Sequence, residues 1–250
     1  MRRKGDATRF LLTAVSSVVT IRVMPGSARS APGGYVYHVL NRAVARLPLF
    51  EKPADFLAFE GVLALALEKY PIRLLSYNLM PNHWHFVLWP QRDGQLTQFV
   101  RWLTLTHTMR WHAHNHTAGT GHIYQGRFKS FPIEQGDHLY TVLRYVERNA
   151  LRAQLVTAAE HWRWSSLWRR EHPEAVPPVR LAEWPVPLPA DWVRRVNRAE
   201  TEAELAALRR AVVRGQPFGS SGWVVRTAKR LHLEYTLRSP GRPKKPPTKA

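Results

Sequence analysis

An α+β fold, four antiparallel strands with helices packed on one face of the sheet, is the class this sequence predicts. Three observations carry it. Runs of β-branched and aromatic residues alternate with runs whose apolar residues recur at helical spacing. The strands are too few for a barrel. The chain has 250 residues, 44% of them hydrophobic, which is enough to bury a core.

The first strand is "YVYHVLNRA" (35–43), which follows the turn Pro32-Gly33-Gly34. "PADFLAFEGVLALALEKY" (53–70) opens on proline and repeats Phe56, Phe59, Leu63 and Leu67 along one helix face. "IRLLSYNLM" (72–80) and "HWHFVLW" (83–89) flank a Pro81-Asn82 turn and read as a hairpin. "QLTQFVRWLTLTHTMRWHAHNH" (95–116) is a second long amphipathic helix, and "RFKSFPIE" (127–134) is a fourth strand. "DHLYTVLRYVERNALRAQLV" (137–156) reads as a third helix. The order β-α-β-β-α-β-α is that of a ferredoxin-like sandwich.

Residues 25–172 form the expected main domain. Residues 1–24 are an extension whose basic start and apolar run from Phe10 to Val23 imitate a secretory signal; an upstream-annotated start, with Met24 as initiator, is the favoured reading. Residues 173–250 are expected to be a Pro-rich connector and a basic tail, with one short helix at 199–215 capped by Thr201 and Glu204. No stretch spans a membrane convincingly.

Charge narrows the function. Lys and Arg number 37 against 18 Asp and Glu, a net charge of +19, which points to a polyanion. There is no cysteine, which excludes disulfides, thiolate metal sites and a Cys nucleophile, and fits the cytoplasm. Residues 96–133 hold Arg101, Arg110, Arg127, Lys129, five histidines and no acid, a plausible floor for a DNA strand. Trp102, Trp111 and Tyr124 are possible stacking partners there, although for Trp102 a core position is preferred. "GRPKK" in the tail supplies Arg242, Lys244 and Lys245 for a phosphate backbone.

The histidines in "HWH" carry the chemistry. On a strand, residues i and i+2 share a face, so His83 and His85 point one way and Trp84 the other. Two imidazoles so placed can converge on one divalent ion. The other His-x-His pairs, in "HAHNH" (112–116), lie on a helix, where a solvated face explains them better. On the third helix Tyr145, Asn149 and Arg152 follow one stripe beside the apolar face of Leu139, Val142, Leu143, Val146 and Ala150. Tyr140 falls on the opposite side.

The segments "YVYHVLNRA", "LLSYNLMPNHWHFVL", "GHIYQGRFKSFPIE", "YVERNALRAQLV" and "WRWSS" resemble, in order and spacing, the REP-associated tyrosine transposases, single-tyrosine HUH transposases of bacteria. The resemblance covers about residues 33–170. It implies that His83 and His85 bind a metal, that Asn149 is the third ligand and that Tyr145 is the nucleophile. His38, Asn41 and Arg42 match a strand near the DNA-binding surface of relatives. Members often carry Asn-Pro-Val where this chain has Asn149-Ala150-Leu151.

The implied reaction is transesterification of single-stranded DNA at palindromic repeat hairpins, through a 5′-phosphotyrosine link, with Mg²⁺ or Mn²⁺ as cofactor. Tyrosine is almost wholly protonated near neutrality, with a free pKa of about 10. Cations such as Arg152 would favour the phenolate by charge. The expected partner is single-stranded or hairpin DNA, with no membrane, and a monomer is favoured over a dimer. The alternative is a catalytically silent hairpin DNA- or RNA-binding protein of the same fold.

Overall fold

The computed structural model describes residues 31–238. Its core runs β1 (Val36–Arg42), α1 (Pro53–Lys69), β2 (Arg73–Met80), β3 (His83–Trp89), α2 (Gln95–Asn115), β4 (Lys129–Ile133) and α3 (Asp137–Glu147). The strands form one sheet in the order β2-β3-β1-β4, every neighbour antiparallel. This is the α+β class and the element order that the sequence predicts.

The two crossover helices share one face. Tyr37, Val39, Tyr77, Leu79, Trp84, Phe86 and Leu88 point there, alternating along their strands, and meet Phe59, Leu63, Phe99 and Leu103. Burying each such side chain is worth about 1.5–3 kcal/mol. The third helix is different: α3 lies on the other face. Its Leu139, Val142, Leu143 and Val146 recur at i, i+3, i+4 and i+7 and pack on Val36, Val87, Phe131 and Ile133. Gly136, at φ 89, makes the reversal that carries the chain from β4 onto this face. The one-face expectation therefore holds for α1 and α2, and α3 turns the sheet into a central layer.

The third helix is also shorter than its sequence pattern suggests. It ends at Glu147, and after Arg148 a single turn, α4 (Asn149–Arg152), continues it.

Beyond residue 172, where a connector is expected, the chain folds back onto the domain. After α5 (Ser166–Glu171) it forms α6 (Trp192–Asn197), α7 (Glu202–Arg214) and α8 (Ser221–Arg230). The Thr201–Glu204 capping box opens α7 as expected. Tryptophans explain the docking. Trp184 and Trp192 join the α3 core, and the Trp184 indole donates to the Leu75 carbonyl at 2.9 Å. The N-terminal extension 1–24 and the basic residues Arg242, Lys244 and Lys245 lie outside the described residues. Among the described residues, no helix is long and apolar enough to cross a membrane.

His107 of α2 sits in the first core, where its Nδ1 meets the Tyr124 hydroxyl at 2.7 Å. Burial pushes its pKa down to about 3. Between pH 6.5 and 3 the unfolded chain therefore binds a proton that the folded chain refuses. Stability is complete above that window and falls as pH drops through it, by up to about 1.4 kcal/mol per pH unit. Urea titrations from pH 7 to 5 should show this slope, shallower in His107→Gln; identical slopes would refute it.

Candidate active site

The site is built on the α3 face of the sheet. Register sets the rows: Asn78, His85, Leu40 and Lys129 lie across one, and Met80, His83 and Arg42 across the next. His83 and His85 share this face, with ring centroids 5.0 Å apart, while Trp84 is buried among Phe59 and Phe86 on the other. The alternation expected from "HWH" is what the strand adopts.

Asn78 places the helix on this surface. Its side-chain amide donates to the carbonyls of Val146 (2.9 Å) and Glu147 (3.3 Å), between Tyr145 and Asn149. Tyr145 then stands edge-on to His85, with centroids 5.9 Å apart, and to His38, 6.2 Å apart. Arg152 covers the Tyr145 ring, its guanidinium carbon 4.3 Å from the centroid. Among the described residues the Tyr145 hydroxyl has no hydrogen-bond partner.

The electrostatics keep the imidazoles neutral. Burial, then the positive charges of Arg42 and Arg152, pushes His83 down to about 4. Burial also holds His85 well below the usual histidine range, with further contributions from His83, His38, Arg152 and Arg42. Neutral rings have lone pairs to offer. The His83 Nδ1 lies 2.7 Å from the Asn82 Oδ1, so Nδ1 carries the proton and Nε2 is bare.

His38 is not at a DNA surface. It is fully enclosed, pushed down to about 3 by burial, and its Nε2 lies 2.8 Å from the His85 Nδ1. When His85 donates in that bond, its own Nε2 is left bare and the His38 proton sits on Nδ1, which has no partner among the described residues. His38 thus hydrogen-bonds His85, and in the metal-binding role that the resemblance implies for His85 it would act as a positioning residue. Replacing it with alanine should weaken Mn²⁺ affinity about 10- to 100-fold, by titration calorimetry, and leave DNA affinity unchanged. Equal Mn²⁺ affinity would remove the role.

The residues present fit a divalent ion. Among the described residues no three His, Cys, Asp or Glu side chains make a metal site, and the third ligand that the resemblance implies is the Asn149 amide. Its Oδ1 accepts from Arg152 Nη2 at 2.9 Å, and its buried Nδ2 has no partner. Arg152 occupies one lone pair of that oxygen, and the second remains for an ion. Arg152 is held from behind by Glu200 at 2.9 Å, a buried carboxylate that also pairs with Arg148 at 3.2 Å. With two guanidiniums beside it, such an ion is best accommodated together with an anion.

The other basic candidates divide. Arg42 lies beside His83 in register, with its buried Nε unpartnered. Arg127 and Lys129 are exposed at the β4 edge. Arg101 and Arg110 are exposed but belong to α2, on the far side of the sheet, so the floor expected from residues 96–133 is not continuous with the site. Asn41 points to that far side too; its amide reaches the Gly126 carbonyl at 3.4 Å and it is 6% exposed, a loop anchor. Tyr124 is buried between Trp84 and His107 and cannot stack on a base. His112 ties the end of α2 to Thr117 and Gly121.

Sequence reasoning missed Asn82, Asn78 and Glu200. The Pro81-Asn82 pair signalled a turn, and nothing marked the amide as a partner for His83. Glu200 lies 48 residues from Arg152 in sequence, and no local pattern could link them.

Comparison with known proteins gives three findings. The family model of IS200-like transposases matches residues 33–149. No curated protein matches the chain. Among solved structures, a REP-associated tyrosine transposase bound to a REP hairpin is similar at 17% identity and a TM-score of 0.49, over 64% of this chain and 92% of that one. The matched segment 33–149 runs through the four-stranded antiparallel sheet and α3 to Asn149, and over that segment the chain is similar to IS200-like transposases.

Proposed function

We propose that this chain cleaves and rejoins single-stranded DNA beside palindromic repeat hairpins, with Tyr145 as nucleophile. The observation that carries it is the placement of Tyr145: edge-on to His85, under Arg152, with its hydroxyl unpaired. The Tyr145 oxygen forms a bond to phosphorus as the bond to the 3′-oxygen breaks. That leaves a 5′-phosphotyrosine and a free 3′-OH. The phosphodiester bond energy stays in the link, so a 3′-OH attacking it restores a continuous strand without ATP.

Each neighbour has a part. Arg42 and Arg152 donate to phosphate oxygens and orient the ester for in-line attack. Asn82 and His38 fix the two imidazoles. Mg²⁺ or Mn²⁺ bound by His83, His85 and Asn149 would offset the charge that develops on the non-bridging oxygens. Glu200 holds Arg152 beside Asn149 and Tyr145.

One observation favours a second reading, a hairpin-binding protein without catalysis: the Asn149 oxygen is already bonded to Arg152. The test is a denaturing gel of end-labelled single-stranded DNA carrying repeats of the host genome, with Mn²⁺ or with chelator. A labelled protein band that requires Mn²⁺ and vanishes in His85→Ala supports strand transfer. Tight hairpin binding with no such band under any metal moves the reading to the binding protein.

A further inference from the structure

A groove of about 710 Å³ opens at the edge of β4, bordered by Tyr37, Ser130 and Pro132 of the sheet. Strand β4 supplies Lys129, the loop before it Arg127, the end of α7 Val213 and Arg214, and the segment after α8 His232 and Tyr235. Among the described residues no carboxylate lines it. Most of its wall comes from residues 212–235, beyond the segment that matches the transposase family.

Two features narrow its ligand. Four lining side chains are cationic or can become so, contributed by separate elements, which suits a chain of phosphates. Between them stand two of the most exposed large apolar side chains, Val213 at 71% and Tyr235 at 61%. Exposed aromatic faces between cations are what unpaired bases stack upon. An acidic peptide would satisfy the charge and leave Tyr235 and Val213 uncovered.

The groove also connects to the catalytic face. Lys129 is in register with Leu40, and Leu40 with His85, all three pointing to one side. At about 4.8 Å per strand, Lys129 is about 10 Å from His85. A strand leaving the phosphate site over β1 reaches Lys129 and can turn round the β4 edge into the groove. Residues 239–250 hold Arg242, Lys244, Lys245 and Lys249 with no acid, the same sign of charge as the groove.

We propose that this groove holds the unpaired DNA that flanks the hairpin, a binding site distinct from the one that performs chemistry. The proposal rests on the transposase reading for its ligand, and its test does not depend on catalysis. Fluorescein-labelled oligo-dT and a blunt hairpin without flanks are titrated by anisotropy, in the Tyr145→Phe background and without divalent ions. Val213→Glu and Tyr235→Ala are the variants; both residues are exposed, so the fold tolerates them.

The expected result is oligo-dT affinity lowered at least tenfold by Val213→Glu and about fivefold by Tyr235→Ala, with blunt-hairpin affinity unchanged. The Val213→Glu loss should shrink as salt is raised. Unchanged oligo-dT affinity in both variants overturns the proposal. So does an equal loss for the blunt hairpin, which would assign the groove to duplex, or displacement of oligo-dT by poly-glutamate at equal charge concentration. Because no covalent step is read, a failed adduct assay leaves this result standing.

Discussion

Tyr145→Phe will abolish the covalent protein–DNA band, a loss of at least about 10³-fold, and leave hairpin affinity within about twofold. The change removes one oxygen that has no protein partner, so no buried group is stranded. The ring keeps its contacts with His38, His85 and the Arg152 guanidinium, so the site keeps its shape. Tyr140 cannot take over: its hydroxyl donates to the Pro187 carbonyl at 2.6 Å, and its ring lies against Trp184 and Trp192. A gel in which Tyr145→Phe still forms the labelled band would place the nucleophile elsewhere. Loss of hairpin affinity along with the band would make Tyr145 a binding residue.

Glu147→Ala should destabilise the fold by about 3–5 kcal/mol, measured by urea unfolding. Glu147 is fully buried two residues after Tyr145. Its carboxylate accepts from Ser166 (2.6 Å), Arg170 (2.5 Å), Trp192 (2.7 Å) and Ser76 (3.1 Å). Alanine leaves the Arg170 charge and three donors without their acceptor, so the loss exceeds that of an exposed ion pair by several-fold. The same carboxylate joins α3 to β2, α5 and α6, so strand transfer should fall even where the variant is folded. A midpoint within 1 kcal/mol of wild type would show that α3 is held by its apolar face alone.

These two residues sit side by side, yet only one was legible in the sequence. Tyr145 and Asn149 show through helical spacing, and the histidine pair through the alternation of a strand, because both are local periodicities. The one-turn break after Glu147 leaves that stripe intact, so the spacing argument survives a boundary error. Glu147 gave no signal, since its partners are spread from Ser76 to Trp192. His38 failed for another reason. Its place near a DNA surface came from the resemblance alone, and here register and the covering helix bury it. Arg101 and Arg110 show the limit of charge clustering, which counts cations in a stretch of chain and says nothing about which side of a sheet a helix occupies.

The downstream chain seals both margins of the sheet. Along β2, Leu79 donates to the Trp164 carbonyl and Leu74 accepts from the Ala182 amide; along β4, Phe218 bridges Ile133, donating to Pro132 and accepting from Glu134. An open strand edge is a template on which other chains polymerise. Here the segment 33–149 borrows its edge protection from sequence outside the family match. Cutting the chain after residue 149 would therefore yield a sheet with two adhesive borders, prone to fibrous assembly, rather than a smaller version of the same molecule.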